Sequence, residues 1–297
     1  MIRRCLPSAD HGTPSGRRSA RRRANQASAC PPLDATYRGV VTEPLQIPRS
    51  VLLALWLSDR APVPAVVRAV QGDDEPHEVR GVPEDDLAAL LSRWADLGAT
   101  PPDVAAVLPA PGDPLAAPAA VSAAGIVAGE LVLLRAPDHR SAALVPTVRR
   151  FGPDLEPGHQ VTWKVTEVDD WRSALHREGG WIDDAERDLR DGLRLATEAL
   201  IGLDVARWRP EAAAQVSALR DGALPFARLP ARLDGRRARV LASAARLRAI
   251  VALATQDDGG AVNLWQADQR STALREVDRV ARRAMGAAAS WLSGDYV

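Results

Sequence analysis

The segment HQVTWKVTEV, residues 159–168, decides how this chain is read, because its polarity alternates with a period of two. Val161, Trp163 and Val165 fall on one side and Thr162, Lys164 and Thr166 on the other, the pattern of a strand with one buried face. Just upstream, SAALVPTVRRF (141–151) reads as a second strand, and the short connection between them suits an antiparallel pair. Further back, ELVLLR (130–135) and DVAAVLP (103–109) are short apolar runs bounded by turn residues. PAAVSAAGIVAG (118–129) between them reads as a small-residue helix. The expectation is a mixed sheet of about four strands.

Helices precede the sheet. PRSVLLALWLSD (48–59) places Pro48 at a helix start, and PAVVRAVQG (64–72) follows across a proline break. VPEDDLAALLSRWADLGA (82–99) has acids in its first turn, Leu87, Leu90, Leu91, Trp94 and Leu97 on one face, and Gly98 at its stop.

Beyond Asp169 the period changes to that of a helix. WIDDAERDLRDGLRLATEALIGLDVARW (181–208) stripes Ile182, Ala185, Leu189, Leu193, Ala196, Leu200 and Leu203 at spacings of three and four. PEAAAQVSALRDG (210–222) opens on proline and closes on glycine. RRARVLASAARLRAIVALA (236–254) stripes Val240, Ala244, Leu247, Val251 and Ala254, and a last helix from about Asp268 to Trp291 points Leu274, Val277, Ala281, Ala284 and Ala288 inward. The fold class expected is α+β or α/β: an N-terminal mixed-sheet domain over 45–169 and a C-terminal antiparallel helical bundle over 170–297.

Residues 1–44 have no apolar period and are rich in Ser, Arg, Gly and Pro; they read as a disordered basic tail or a start assigned too far upstream. Both cysteines, Cys5 and Cys30, lie in this segment, so the body holds no thiol for a disulfide or a metal, which fits a reducing cytoplasm. No stretch is long and apolar enough for a membrane span, so no membrane partner is expected. The chain balances 38 Lys and Arg against 38 Asp and Glu, which argues against nucleic acid as a partner. Charge is uneven along it: 151–211 carries 8 basic and 14 acidic residues, 228–283 carries 12 and 6, as expected of helical layers that neutralise each other.

The patterns of P-loops, dinucleotide-binding turns, zinc proteases, CxxC pairs and nucleophile elbows are missing, which lowers the case for those enzymes; no cofactor is expected. QGDDEPHEVRG (71–81) concentrates carboxylates and a histidine, but Pro76 disrupts any regular spacing. It reads as a solvated loop, with a hard-cation site of Asp73, Asp74 and Glu75 as the sharper alternative.

LPAPGDP (108–114) leaves the carboxyl end of a strand, where α/β sheets place ligands, and carries Asp113. EPGHQVTW (156–163) puts His159 at the start of another. A carboxylate and a histidine can orient and transfer protons, although turn-making is the commoner use of such residues. In QDDGGAVNLWQADQR (256–270), Asp257, Asp258, Trp265, Asp268 and Arg270 surround a glycine break suited to an anionic or planar ligand. The plainer reading is an αα turn with Asp268 as N-cap and Arg270 in an ion pair. Among eight tryptophans, Trp56 and Trp94 read as core, and Trp171, Trp181 and Trp208 sit at helix ends.

PGDPLAAPAA, EPGHQVTW, LDVARWRPEAA and RLRAIVALATQDDGGAVNLWQADQRS resemble an uncharacterised family of actinobacterial proteins with no assigned activity. The resemblance covers Pro48 to about Ala289 and leaves residues 1–44 outside. It implies a lineage and a cytosolic setting, and no catalytic residue. The function expected is a cytosolic, non-enzymatic ligand- or partner-binding regulatory protein. Its site is expected where the two domains meet, for an unknown small molecule or protein. The alternative is an enzyme, a hydrolase or transferase of a small polar substrate, using Asp113 and His159.

Overall fold

The computed structural model of the chain describes residues 45–96, 103–136, 138–153, 156–178, 181–202, 222–255 and 264–293, with the side chains of 195–202 and 264–267 excepted. The tail expected over 1–44 and the helix expected over 210–222 lie outside these residues, apart from its closing Gly222.

The helices α1 (Arg49–Ser58) and α2 (Val63–Gln71) precede a five-stranded mixed sheet, and α3 (Leu87–Asp96) follows its first strand. Its strands are β1 (Glu78–Arg80), β2 (Asp103–Val107), β3 (Leu131–Arg135), β4 (Ser141–Phe151) and β5 (Gly158–Val168), in the order β1-β5-β4-β3-β2. Helix α4 (Ala119–Ala128) links β2 to β3. The four strands legible in the sequence form an antiparallel meander. The fifth, β1, is only three residues long and pairs in parallel with β5, a non-local pairing that leaves no period to read.

One face of the sheet carries Val104, Ala106, Val132, Leu134, Leu144, Val161, Trp163 and Val165 against α1 and the C-terminal helices. The other carries Ala105, Val107, Leu131, Leu133, Ala143 and Val145 against α4 and α5 (Arg172–Arg177). α1 is buried from Ser50 to Leu55, as befits a helix apolar on nearly every side. It begins at Pro48 with no capping side chain of its own; Glu130, from the approach to β3, accepts the Ser50 amide at 2.8 Å instead. Both sheet edges are occupied: the Val79 amide donates to Asp85 O at 2.8 Å, and Val104 exchanges two backbone bonds with Trp291.

The helical half consists, among the described residues, of α6 (Ile182–Gly202), α7 (Gly235–Ala254) and α8 (Leu264–Ala289), with a short 3-10 turn at Phe226–Arg228. α7 and α8 run antiparallel. Arg270 near the start of α8 donates to Ala254 O at 2.7 Å, and Arg237 at the start of α7 donates to Ala287, Ala288 and Ser290 carbonyls at the end of α8. The acidic and basic segments meet as expected: Arg236 pairs with Glu186 at 2.7 Å and with Asp183. The α7 and α8 stripes lie inward, with Val240, Ala244, Val251, Leu274, Val277, Ala281, Ala284 and Ala288 all buried.

The α6 stripe needs one correction. Ala185 and Leu189 are buried, but Leu193 is 49% exposed, and Gly192 faces Val280 of α8 in its place. The contact line drifts round the helix by one residue because 3.6 is not a whole number.

Candidate functional site

Two clusters of charged side chains flank the sheet, and neither is the one expected. The first gathers on the stretch 71–81, which is solvated only in part: Asp73, Glu75 and Pro76 are exposed, but His77 is 3% exposed and the Asp74 side chain 8%. Trp163 Nε1 donates to His77 Nδ1 at 3.1 Å, so the proton of the neutral ring sits on Nε2, which faces Asp74 Oδ2 at 3.3 Å. Arg49 grips both Asp74 oxygens, Nε to Oδ2 at 2.6 Å and Nη2 to Oδ1 at 2.8 Å. His159 lies on the other flank, its Nδ1 3.7 Å from Asp74 Oδ1, while its carbonyl accepts the Glu75 amide at 2.9 Å.

Burial pushes the Asp74 carboxyl up, but the bonds and charge of Arg49, with the bond from His77, outweigh it and hold the group below the usual carboxylate range. For His77 burial prevails: it lowers the pKa, and the positive Arg49 and Arg228 add to it against Asp74, so the ring is held neutral. The carboxylate thus takes bonds from Arg49 and His77 and ties α1 to the 71–81 segment, which is joined to β5 by the Trp163–His77 bond and by the Glu75 amide on His159 O. With Asp74 turned onto Arg49 and His77, the hard-cation site of Asp73, Asp74 and Glu75 does not form. Among the described residues no three His, Cys, Asp or Glu side chains are set to hold a metal ion.

The second cluster stands where β2 ends. A tight turn closes by paired backbone bonds between Ala110 and Asp113 and uses Gly112 at a φ of 80°. It presents the Asp113 carboxylate to α8. Arg282, 5% exposed, donates to Asp113 Oδ2 at 2.8 Å, to Leu108 O at 2.7 Å and to Asp278 Oδ2 at 2.7 Å. Its neighbour Arg283 reaches Glu178 Oε2 at 3.1 Å and lies 3.8 Å from Asp113 Oδ1. α8 approaches β2 this closely because Gly286 has no side chain: a Cβ there would fall 2.7 Å from Ala106 O. The approach leaves a shallow crevice lined by Leu115, Leu175, Ala287, Glu178, Arg282 and Arg283.

The structure does not bring Asp113 and His159 together. Asp113 follows β2 and His159 opens β5, with β3 and β4 between those strands. Asp113 has arginines for partners, and His159 has Asp74. Of the helix-break residues, Asp257 and Asp258 lie outside the described residues, as does the side chain of Trp265. Asp268 is exposed and sits inside α8, which begins at Leu264, so it is not the N-cap. Arg270 closes the break by capping α7.

Of the tryptophans, Trp171 is 2% exposed with Nε1 on Leu134 O, and Trp56 donates to Arg228 O at 2.7 Å. Sequence reasoning passed over Arg49 and Arg282, and took His77 as part of a solvated loop. The one local signal was a proline-flanked histidine followed two residues on by an apolar Val79.

Two family models match the chain: Rv1486c-like protein, N-terminal domain, over residues 50–176, and Rv1486c-like protein, C-terminal domain, over residues 183–286. The chain belongs to the Rv1486c-like family. No curated protein and no solved structure matches it.

Proposed function

We propose that this chain is a cytoplasmic, non-enzymatic binding protein that holds a small ligand in the crevice between the exit of β2, α5 and α8. The observation that carries the reading is the state of Arg283. Its Nε is buried with no hydrogen-bond partner among the described residues, whereas the adjacent Arg282 is committed to three acceptors. A buried donor without an acceptor costs about 1–3 kcal/mol, which a ligand carboxylate can recover. Leu115, Leu175 and Ala287 beside it suit a short apolar body, and the crevice, about 30 Å³, admits a ligand of only a few atoms. Binding is favoured over catalysis because the carboxylates at and beside the crevice are held by arginines, Glu178 in its lining by Arg283 and Asp113 behind it by Arg282. Cytoplasmic residence is supported by the position of both cysteines ahead of the folded body. No helix among the described residues is long and apolar enough to cross a membrane.

The test is thermal unfolding of the full chain with butyrate, and with butylamine as the cationic control. Butyrate is expected to raise Tm saturably, and Arg283→Met or Leu175→Trp to abolish the rise. An absent or non-saturating shift, or one that survives both substitutions, would overturn the reading.

A further inference from the structure

The sheet face packed by α4 and α5 is covered only in part. By register, Thr147 and Thr162, Arg149 and Gln160, and Phe151 and Gly158 are cross-strand neighbours on this face. Glu78 and Arg80 join it from β1, opposite Thr162 and Lys164. Toward β2 the face is buried, as Ala143 and Val145 show. Toward β1 and the β4–β5 turn it opens, and Arg80, Thr147, Arg149, Phe151 and Lys164 are all exposed. The reverse side buries Val79, Val161 and Trp163, so on β1 and β5 the exposure belongs to this face, while β4 from Thr147 onward is exposed on both sides, Val148 included.

Its charges are built in. Arg80 Nη2 donates to Glu78 Oε2 at 3.0 Å, Gln160 Nε2 to Glu78 Oε1 at 2.9 Å, and Arg149 Nη2 to Gln160 Oε1 at 2.7 Å. This relay crosses three strands, commits Glu78, the one acid that the described strand residues place on the open face, and fixes two guanidinium groups. Lys164 stands in register with Arg80 on the adjacent strand. Like charges about 4.8 Å apart across a sheet are unfavourable, and an anion between them removes the cost. Two of the acids beyond β1 are committed elsewhere: Glu84 pairs with Arg93 at 2.7 Å, and Asp86 caps the Ala89 amide.

We infer that this open face docks an acidic segment of a partner protein, its carboxylates meeting Lys164 and Arg80 at one end and Arg149 at the other, with Phe151 at the rim. A nucleic acid fits less well. The chain has no net charge, and Phe151 stands as a single aromatic on the face where stacked bases need a row. The proposal concerns a different surface from the crevice at β2 and stands independently of it.

Lys164 is the only lysine in the chain, so amine acetylation followed by mass spectrometry reports on this face with only the amino terminus as a second target. The probe is a short fluorescent oligoglutamate peptide at low salt, read by anisotropy, with an oligothymidylate of equal length as the rival. Saturable peptide binding is expected, with slowed acetylation of Lys164. Lys164→Glu and Arg80→Glu should each weaken binding about tenfold, and Arg187→Glu on α6 should leave it unchanged. The acetylation readout uses the unmodified chain and does not depend on any variant folding. No peptide binding, binding that leaves Lys164 unprotected, or tighter binding and protection by oligothymidylate would overturn the proposal.

Discussion

Asp74→Asn is the sharpest probe of the fastening that ties the first helices to β5. The carboxylate is 8% exposed and takes two bonds from Arg49, at 2.6 and 2.8 Å, besides facing His77 at 3.3 Å. Asparagine keeps the volume but removes the charge and turns one acceptor into a donor, so whichever way the amide turns an Arg49 N–H meets another N–H, joined by the His77 Nε2–H when the nitrogen takes the place of Oδ2. Removing one partner of a buried ion pair costs about 3–5 kcal/mol. The Arg49 side chain is 23% exposed and regains some water, which places the expected loss at the lower end, about 3 kcal/mol. Urea unfolding followed by far-ultraviolet circular dichroism measures it: with a slope of about 1–3 kcal/mol/M, the midpoint should fall by about 1 M or more at unchanged slope. Arg49→Met in the same background should be non-additive, with a coupling of about 1–3 kcal/mol, since the two residues share one interaction. A loss below about 1 kcal/mol, or strict additivity with Arg49→Met, would refute the view that Asp74 holds these elements together.

His77 predicts a pH dependence. Its folded pKa is depressed by burial, so the unfolded chain binds the proton more readily, and stability should decline as pH falls below about 6.5 toward the folded value. Chemical denaturation across that window should show a shallower slope against pH in His77→Gln than in the parent, and identical slopes would remove the buried neutral ring. In α6, Leu189→Ala should cost about 2–5 kcal/mol and Leu193→Ala less than about 1, as buried and half-exposed positions require; the reverse order by urea unfolding would restore the simple stripe.

What the sequence by itself determined was whatever depends on local period. Residues 159–168 alternate because one face of β5 is buried, and the α7 and α8 stripes are legible because Val240, Ala244, Leu274, Val277 and Ala281 recur at helical spacing and meet the core at that spacing. Opposite charge excess forecast the meeting of α6 and α7, since charge, unlike packing, can be summed from composition. Only the tertiary structure decided the rest. Leu193 lost its place to Gly192 because the side of a helix that faces its neighbour is set by the neighbour. Asp74 and His77 look solvated when 71–81 is read alone, because the groups that cover them come from elsewhere: Arg49 lies 25 positions from Asp74 and Trp163 lies 86 from His77. Asp113 found its partner in Arg282, at a separation of 169 positions. The charge of a side chain is written in the sequence, but its hydration and its counter-charge are properties of the space around it, and those exist only once distant segments have packed.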